Sequence, residues 1–212
     1  MIRNVLWSGL IVVGLAARAM ATETRLTQNF DSEAEGAVGS GWESGFFGKS
    51  GSPRWEVVKE KSAPSPGHVL KQSGKADYNW LVRSDVQIKD GRVACAFKID
   101  SGVEDPEAGI VWRFKDGENY VYVRANTTEN NLVLYRMTSG KKELLKAVEA
   151  KVSRGDWHHV EAEFKGEDIA VTLDGKKLLF YKDKTRVTLG KVGFFTTADT
   201  TASFDDLKAE PL

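Results

Sequence analysis

Three runs of alternating apolar and polar residues lie close together in the middle of the chain. They read AGIVWRF (108–114), YVYVRAN (120–126) and LVLYRM (132–137), and the polar connectors KDGEN and TTENN separate them. Side chains alternate across a strand, so this spacing predicts an antiparallel meander of three strands.

The middle run has two unlike faces. One face is apolar, and the other carries the rings and polar groups of Tyr120, Tyr122, Arg124 and Asn126. If Ile110, Trp112 and Phe114 join the apolar face in the core, Arg113 comes out beside the tyrosines. The predicted ligand-binding residues are therefore Arg113, Tyr120, Tyr122, Arg124 and Asn126.

Such a surface suits a polar, ring-shaped ligand such as a sugar. A ring can stack on a tyrosine while arginine and asparagine bond its hydroxyls. Aromatic and arginine side chains also stabilise sheets through cross-strand pairs, so a structural role fits the same pattern.

The rest of the chain repeats the strand pattern. About a dozen short strands follow one another at a spacing of eight to twelve residues, with no convincing amphipathic helix, which predicts an all-β sandwich or barrel. Residues 36–51 hold six glycines around large aromatics and are interpreted as a packed surface loop. Asp174-Gly175 predicts a type I′ hairpin. The spacing of Trp157, Val160 and Phe164 predicts a bulge near His158 or His159.

The first residues have the form of a secretory signal peptide. Arg3 supplies a positive charge, residues 5–17 are apolar, and Ala19-Met20-Ala21 fits a cleavage site. This apolar run is too short to favour a membrane span. We therefore expect a signal peptide at 1–21, a single domain at 22–212, and a secreted or periplasmic protein without membrane insertion after cleavage.

The amino-acid composition narrows the classes of partner that the protein is expected to bind. The chain has 30 basic and 30 acidic residues, and removing Arg3 and Arg18 with the signal peptide leaves 28 basic against 30 acidic. This interspersed balance predicts no nucleic-acid partner and no anionic membrane surface. The single cysteine, Cys95, lies in the apolar run VACAF and is interpreted as a buried, unreactive thiol.

Longer blocks carry a resemblance to a known family. The order AGIVWRF, NYVYVRAN, ENNLVLYRM, GDWHHVEAEFKG, VTLDGKKL, GKVGFFTTADT and SFDDL resembles concanavalin A-like and laminin-G-like jelly rolls. It looks most like secreted bacterial domains of unknown function 1080, which are related to 3-keto-glycoside hydrolases. The resemblance implies a two-sheet antiparallel jelly-roll sandwich, with any glycan on its concave face or at the loop rim.

Catalytic carboxylates are not evident from the sequence. Glucanase-type relatives use a Glu-x-Asp-x-x-Glu strand, and that motif is absent. Glu161 and Glu163 share one strand face, and the loop with Glu104, Asp105 and Glu107 could supply a general acid or hold calcium, but solvated surface charge also explains both groups. No catalytic residue is assigned.

Metal binding is predicted at one place. Adjacent His158 and His159 point to opposite faces of a regular strand and cannot chelate one ion together. Asp31, Asp205 and Asp206 would meet if the terminal strands pair, which suits a structural Ca²⁺ ion. The alternative is that one aspartate caps a turn and the others are exposed.

Three functions remain open at this point. The first is a secreted, non-catalytic glycan-binding domain whose partner is a carbohydrate. The second is an enzyme of the glycoside hydrolase or lyase type that uses carboxylates of the 104–107 loop or Glu161 and Glu163. The third is an adhesion or structural module of the cell envelope.

Overall fold

The computed structural model describes residues 24–65, 67–185 and 187–212. The predicted signal peptide at 1–21 lies outside the described residues, as do residues 22, 23, 66 and 186. Within the described part of the chain, no helix is long and apolar enough to cross a bilayer.

The described residues form sixteen strands. In chain order they are β1 (Leu26–Gln28), β2 (Gly36–Ala37), β3 (Trp42–Gly51), β4 (Trp55–Glu60), β5 (Gly67–Gln72), β6 (Ala76–Ile88), β7 (Gly91–Ser101), β8 (Glu107–Asp116), β9 (Asn119–Asn126), β10 (Asn131–Thr138), β11 (Lys141–Glu149), β12 (His158–Lys165), β13 (Asp168–Leu173), β14 (Lys176–Lys182), β15 (Gly190–Thr197) and β16 (Thr201–Pro211).

These strands make two antiparallel sheets. The nine-stranded sheet has the order β14-β13-β12-β7-β16-β5-β4-β2, with β1 pairing alongside β16. The seven-stranded sheet has the order β11-β10-β9-β8-β15-β6-β3. The predicted all-β, two-sheet antiparallel sandwich is confirmed. The terminal strands β1 and β16 pair with each other, and Leu26 lies opposite Ala209.

The predicted central meander is β8, β9 and β10. These strands pair antiparallel in the order of the sequence, with Tyr122 opposite Val111 on one side and Tyr135 on the other. The Asp174-Gly175 hairpin is also confirmed, because both residues have positive φ, 49° and 75°, as a type I′ turn requires.

The bulge predicted near His158 or His159 is wrong. Strand β12 begins at His158 and pairs in unbroken register with both neighbours. Trp157 therefore precedes the strand and is not bound by its alternation, while Val160 and Phe164 both point into the core.

The interpretation of residues 36–51 as a loop is also wrong, because ten of them form β3, which pairs with β6. Glycine in this strand leaves room for a side chain of the neighbouring strand. A Cβ at Gly45 would lie 3.0 Å from Trp80 Cε2 and closer still to two other ring atoms. The indole of β6 therefore lies over the bare backbone of β3, which explains glycine within a strand.

The main core lies between the two sheets and is rich in aromatic rings. Trp112 of β8 stacks on Phe164 of β12 at 5.6 Å, and Phe194 packs against Phe204 at 4.7 Å. Cys95 belongs to this core and is fully buried, as predicted, and burial raises the pKa of its thiol. Aromatic stacking and apolar burial, with no disulfide among the described residues, hold the sheets together.

Candidate functional site

The seven-stranded sheet carries a second apolar cluster on the face turned away from the other sheet, here called the outer face. The buried members of this outer-face cluster are Val82, Val111, Phe114, Tyr120, Tyr122, Val133, Tyr135, Met137 and Phe195. Tyr122 lies at its centre, with ring-centroid distances of 5.2 Å to Tyr135 and 4.1 Å to Phe195.

The predicted exposure of the two tyrosines is wrong. Strand alternation does place Tyr120 and Tyr122 on the outer face, but their exposed fractions are 2% and 1%. Neighbouring rings on the same face cover both, so neither offers a free ring for a sugar to stack on.

Side chains on the outer face are buried because the seven-stranded sheet is strongly curved. The Lys142 ammonium on β11 lies 5.0 Å from the Tyr135 ring and 5.4 Å from the Tyr78 ring on β6, five strand positions away. A Cβ at Gly140 would lie 3.1 Å from Phe47 Cε2, so the β10–β11 turn also meets β3 at the other edge. The outer face is therefore a deep trough whose two edges approach each other.

The predicted grouping of Arg113 with the tyrosines is wrong, because Arg113 does not lie on the outer face. It adopts φ of 50°, and the β8 register shifts between Trp112 and Asp116. This bulge turns Phe114 to the outer face and sends Arg113 to the edge of the sandwich, where its guanidinium lies 5.4 Å from the Phe164 ring.

A buried polar cluster closes one end of the trough. Glu107 begins β8 and lies opposite Asn126 at the end of β9, and Arg124 lies two residues earlier on the same face. Arg124 Nε is 2.5 Å from Glu107 Oε1, and Arg124 also donates to Glu129 and Asn131. The predicted ligand-binding Arg124 and Asn126 are thus together, but they are 4% and 1% exposed and already partnered.

Two threonines fix the loop that leads into β8. Thr197 and Thr200 donate to the carbonyl oxygen of Asp105 at 3.0 and 2.9 Å, and the Glu107 amide donates to Thr200 Oγ1 at 3.1 Å. Asn126 Nδ2 donates to the Asp105 carboxylate at 2.8 Å. Two carboxylates of the acidic loop therefore lie side by side in a rigid setting.

The buried Glu107 carboxyl has an unusual proton affinity. Burial raises its pKa to about 7, and nearby Asp105 acts in the same direction while the Arg124 guanidinium opposes it. A carboxyl with a pKa near neutrality can take up and release a proton at the pH at which most proteins work.

An open cleft of about 230 Å³ adjoins this cluster at the trough mouth. Asp77, Tyr78, Asp105, Lys142, Thr197 and Ala198 line it. Asp105 and Thr197 face both the cleft and Glu107, because each contacts the cluster directly. We call this opening the trough cleft.

Sequence reasoning included Asp105 and Glu107 in the acidic loop but missed Tyr78, Lys142 and Thr197. These three lie on β6, β11 and β15 and meet because the sheet curls. No local motif marks them, so no signal in the sequence would have grouped them.

The other acidic candidates lie on the nine-stranded sheet. Glu161 and Glu163 are on β12, and Glu163 pairs with Arg92 at 2.7 Å. His158 bonds Asp174 at 2.7 Å, while His159 is exposed. None of these lines the trough cleft.

Two of the three predicted calcium ligands have separate partners. Asp205 is fully buried and accepts hydrogen bonds from the amide and hydroxyl of Ser65, whereas Asp31 accepts from Asn29 and from the amide of His68. Across residues 24–65, 67–185 and 187–212, no group of three or more acidic, histidine or cysteine side chains is arranged to hold a metal. The predicted group of Asp31, Asp205 and Asp206 is therefore not formed, and calcium binding stays a prediction.

The sequence matches a known protein family. The profile of the 3-keto-alpha-glucoside-1,2-lyase-like domain matches residues 30–210, which is nearly the whole described chain. This confirms the resemblance drawn from the sequence blocks. No curated protein matches the sequence.

Solved structures with a similar fold include a carbohydrate-binding module and a glucanase. The carbohydrate-binding module CBM66 from Bacillus subtilis has a TM-score of 0.64 at 16% identity, with 80% of this chain and 96% of that chain covered. A β-1,3-1,4-glucanase (lichenase) from a mouse hindgut metagenome has a TM-score of 0.59 at 12% identity, covering 89% and 100%. Structural similarity at such low sequence identity establishes the fold alone, and it confirms the predicted jelly-roll sandwich.

Proposed function

The chain belongs to the family of 3-keto-alpha-glucoside-1,2-lyase-like domains, and we propose that it binds a carbohydrate in the trough cleft. The proposal rests on the convergence of a tyrosine, a lysine, a carboxylate and a threonine hydroxyl around one opening. Sugars present both C–H faces and hydroxyls, so they are held by such mixtures of rings and hydrogen-bonding groups.

Each group in the cleft has a distinct role in this proposal. Tyr78 is half-buried and offers ring surface, the Asp105 carboxylate and the Thr197 hydroxyl oxygen accept from sugar hydroxyls, and Lys142 donates. Asp105 and Thr197 are already fixed by hydrogen bonds, so they lose little freedom when a ligand binds. The predicted signal peptide supports the further proposal that binding takes place outside the cytoplasm.

We expect Lys142→Ala to weaken glycan binding at least tenfold, because it removes the cation at the cleft mouth. Lys142 is exposed, so the fold should survive. A glycan array identifies the ligand, and titration calorimetry with the best array glycan then measures the dissociation constant.

Lys146→Ala is the matched control. Lys146 is an exposed lysine of the same strand β11 that does not line the cleft, and its loss should leave binding unchanged. Absence of binding to every glycan on the array, or equal losses in both variants, would contradict the proposal.

A second candidate function is the reaction named by the family, and Glu107 favours it. Elimination across C1 and C2 of a 3-keto-glucoside breaks the C2–H and C1–O bonds. A base accepts the C2 proton, the electron pair forms the C1–C2 double bond, and the leaving oxygen takes up a proton. A carboxyl with a pKa of about 7 is suited to the first of these proton transfers.

Incubation with methyl 3-keto-α-glucoside tests this candidate. The expected result is release of methanol together with an ultraviolet-absorbing unsaturated ketone. If the substrate stays intact while glycans bind, the protein is a binding domain and not an enzyme of this class.

A further inference from the structure

Strand β14 is an edge of the nine-stranded sheet. Within the described part of the chain it pairs only with β13. The Asp183 amide, just after β14, donates to the Glu167 carbonyl oxygen, and every second residue of an antiparallel strand points its backbone groups at the same neighbour. The N–H and C=O groups of Phe180 and Lys182 therefore point away from β13 and are open to another strand.

The side chains of this edge are locally basic. The whole sequence has 30 basic and 30 acidic residues, whereas β14 carries Lys176, Lys177 and Lys182, all exposed, and no acidic residue. Among the described residues only Lys182 has an ion-pair partner, Asp168 at 2.8 Å. The edge therefore carries more positive charge than the chain neutralises.

An exposed aromatic ring lies among these lysines. Phe180 is 58% exposed and lies opposite Ala170 of β13, whereas Lys177 lies opposite Thr172. Ala170 and Thr172 share one face of β13, because they are two residues apart. The bulge between the two pairs thus keeps Lys177 and Phe180 on one solvent-facing side, which Lys182 also shares. An added strand would meet the order lysine, phenylalanine, lysine.

A second copy of the chain is a poor partner for this edge. Antiparallel pairing of two β14 strands about Leu179 would place Lys176 of each copy opposite Lys182 of the other. Like charges directly opposite each other are destabilising. Lysines on an edge strand oppose such self-association, and the same lysines attract carboxylates.

An anionic membrane surface also fits this side of the sandwich poorly. The neighbouring edge β11 contacts β14 and carries Leu144, which is 56% exposed. Leu144 lies opposite Tyr135 and so faces the trough, whereas Phe180 faces the solvent side of the other sheet. The two apolar side chains point in opposite directions and do not form one patch that could enter a bilayer.

We propose that β14 is a docking edge for an extended acidic segment of a partner protein, which adds to the nine-stranded sheet as a further strand. Main-chain hydrogen bonds to Phe180 and Lys182 supply affinity, and alternate side chains of the segment supply selectivity. The complementary pattern is an apolar residue opposite Phe180, with an acidic residue two positions away on each side. This docking does not depend on carbohydrate binding.

The probe for this edge is the synthetic peptide acetyl-Thr-Glu-Thr-Phe-Thr-Glu-Thr-amide, added at millimolar concentration to the full chain. We expect saturable NMR shifts centred on the amides of Phe180 and Lys182, with slower hydrogen exchange at both. The same peptide with lysine in place of glutamate should bind at least tenfold more weakly. Of two glutamate peptides N-methylated on alternate amides, one should lose binding at least tenfold and the other should keep it, because only one set of amides faces β14.

Charge reversal tests the selectivity. The double variant Lys177→Glu with Lys182→Glu should exchange the preference between the glutamate and lysine peptides, and both side chains are exposed, so the fold should survive. Lys208→Glu is the matched control, because this exposed lysine of the same sheet lies on β16, four strand positions from β14. The trough-cleft variant Lys142→Ala should leave peptide binding unchanged, so this proposal and the proposed function can fail separately.

The proposal is overturned if the glutamate peptide does not bind, if the lysine peptide binds equally well, or if the shifts centre on another edge strand. It is also overturned if the chain binds phosphatidylglycerol vesicles and the double charge reversal abolishes that binding, because the edge would then belong to a membrane surface.

Discussion

Replacing Glu107 by glutamine is expected to remove a large part of the fall in stability between pH 4.5 and 7. The pKa of this carboxyl rises from an ordinary value of 4.5 to about 7 in the fold. The folded chain therefore holds the proton more tightly than the unfolded chain. This contribution is fully present below about pH 4.5 and is lost as the pH rises to about 7, a change of about 3 kcal/mol.

Urea unfolding of both proteins at several pH values measures this difference. The free energy of unfolding of the wild type should fall across the interval, and that of Glu107→Gln should fall by about 3 kcal/mol less. The fall that remains in the variant comes from Asp205, because burial raises the pKa of that carboxyl to about 6. Glu163→Gln is the matched control, because this half-exposed carboxyl belongs to the other sheet and its loss should keep the fall. A wild-type stability that rises from pH 4.5 to 7, or an equal fall in Glu107→Gln, would show that Glu107 does not hold its proton as inferred.

The same variant bears on catalysis. If the chain carries out the elimination named by its family, loss of the carboxyl should lower turnover of methyl 3-keto-α-glucoside by roughly 10²–10⁴-fold. Retained turnover in Glu107→Gln would exclude Glu107 as the base without excluding the binding proposal.

Alternation along the chain was enough to predict the meander and the sandwich. Strands β9 and β10 lie in the predicted meander, but both are buried along nearly their whole length, because the outer face is covered as well as the core face. The bulge at Arg113 could not be predicted from alternation, because a regular strand explains the sequence Trp112-Arg113-Phe114 equally well. The positive φ of Arg113 depends on the register with β15, which also shifts at this point.

The residues of the candidate site are distant from one another along the chain. Tyr78, Asp105, Lys142 and Thr197 meet because the sheet curls until its edges approach. A face of tyrosines and arginines looks the same in sequence whether it lines an open groove or packs on itself. The structure shows that it packs on itself around Tyr122, and that the accessible chemistry lies at the end of the trough.

Gly109→Ala is expected to destabilise the protein by about 3 kcal/mol. Gly109 on β8 lies opposite Arg124 on β9, on the same face as Glu107. A Cβ there would lie 2.9 Å from Arg124 Cα and closer still to the carbonyl oxygen of Val123. Both atoms belong to backbone, which cannot move aside as a flexible side chain can, so the two strands must separate.

Gly117→Ala serves as the control for this substitution. Its Cβ would lie 3.4 Å from Trp80 Nε1, an ordinary contact, and its φ is not positive, so stability should stay within about 1 kcal/mol of the wild type. Denaturant midpoints of the two variants give the comparison. Separation of β8 from β9 would also move Arg124 away from Glu107, so Gly109→Ala should weaken glycan binding under conditions in which it is still folded. Equal stability of the two alanine variants would mean that the close approach of β8 and β9 does not constrain this end of the trough.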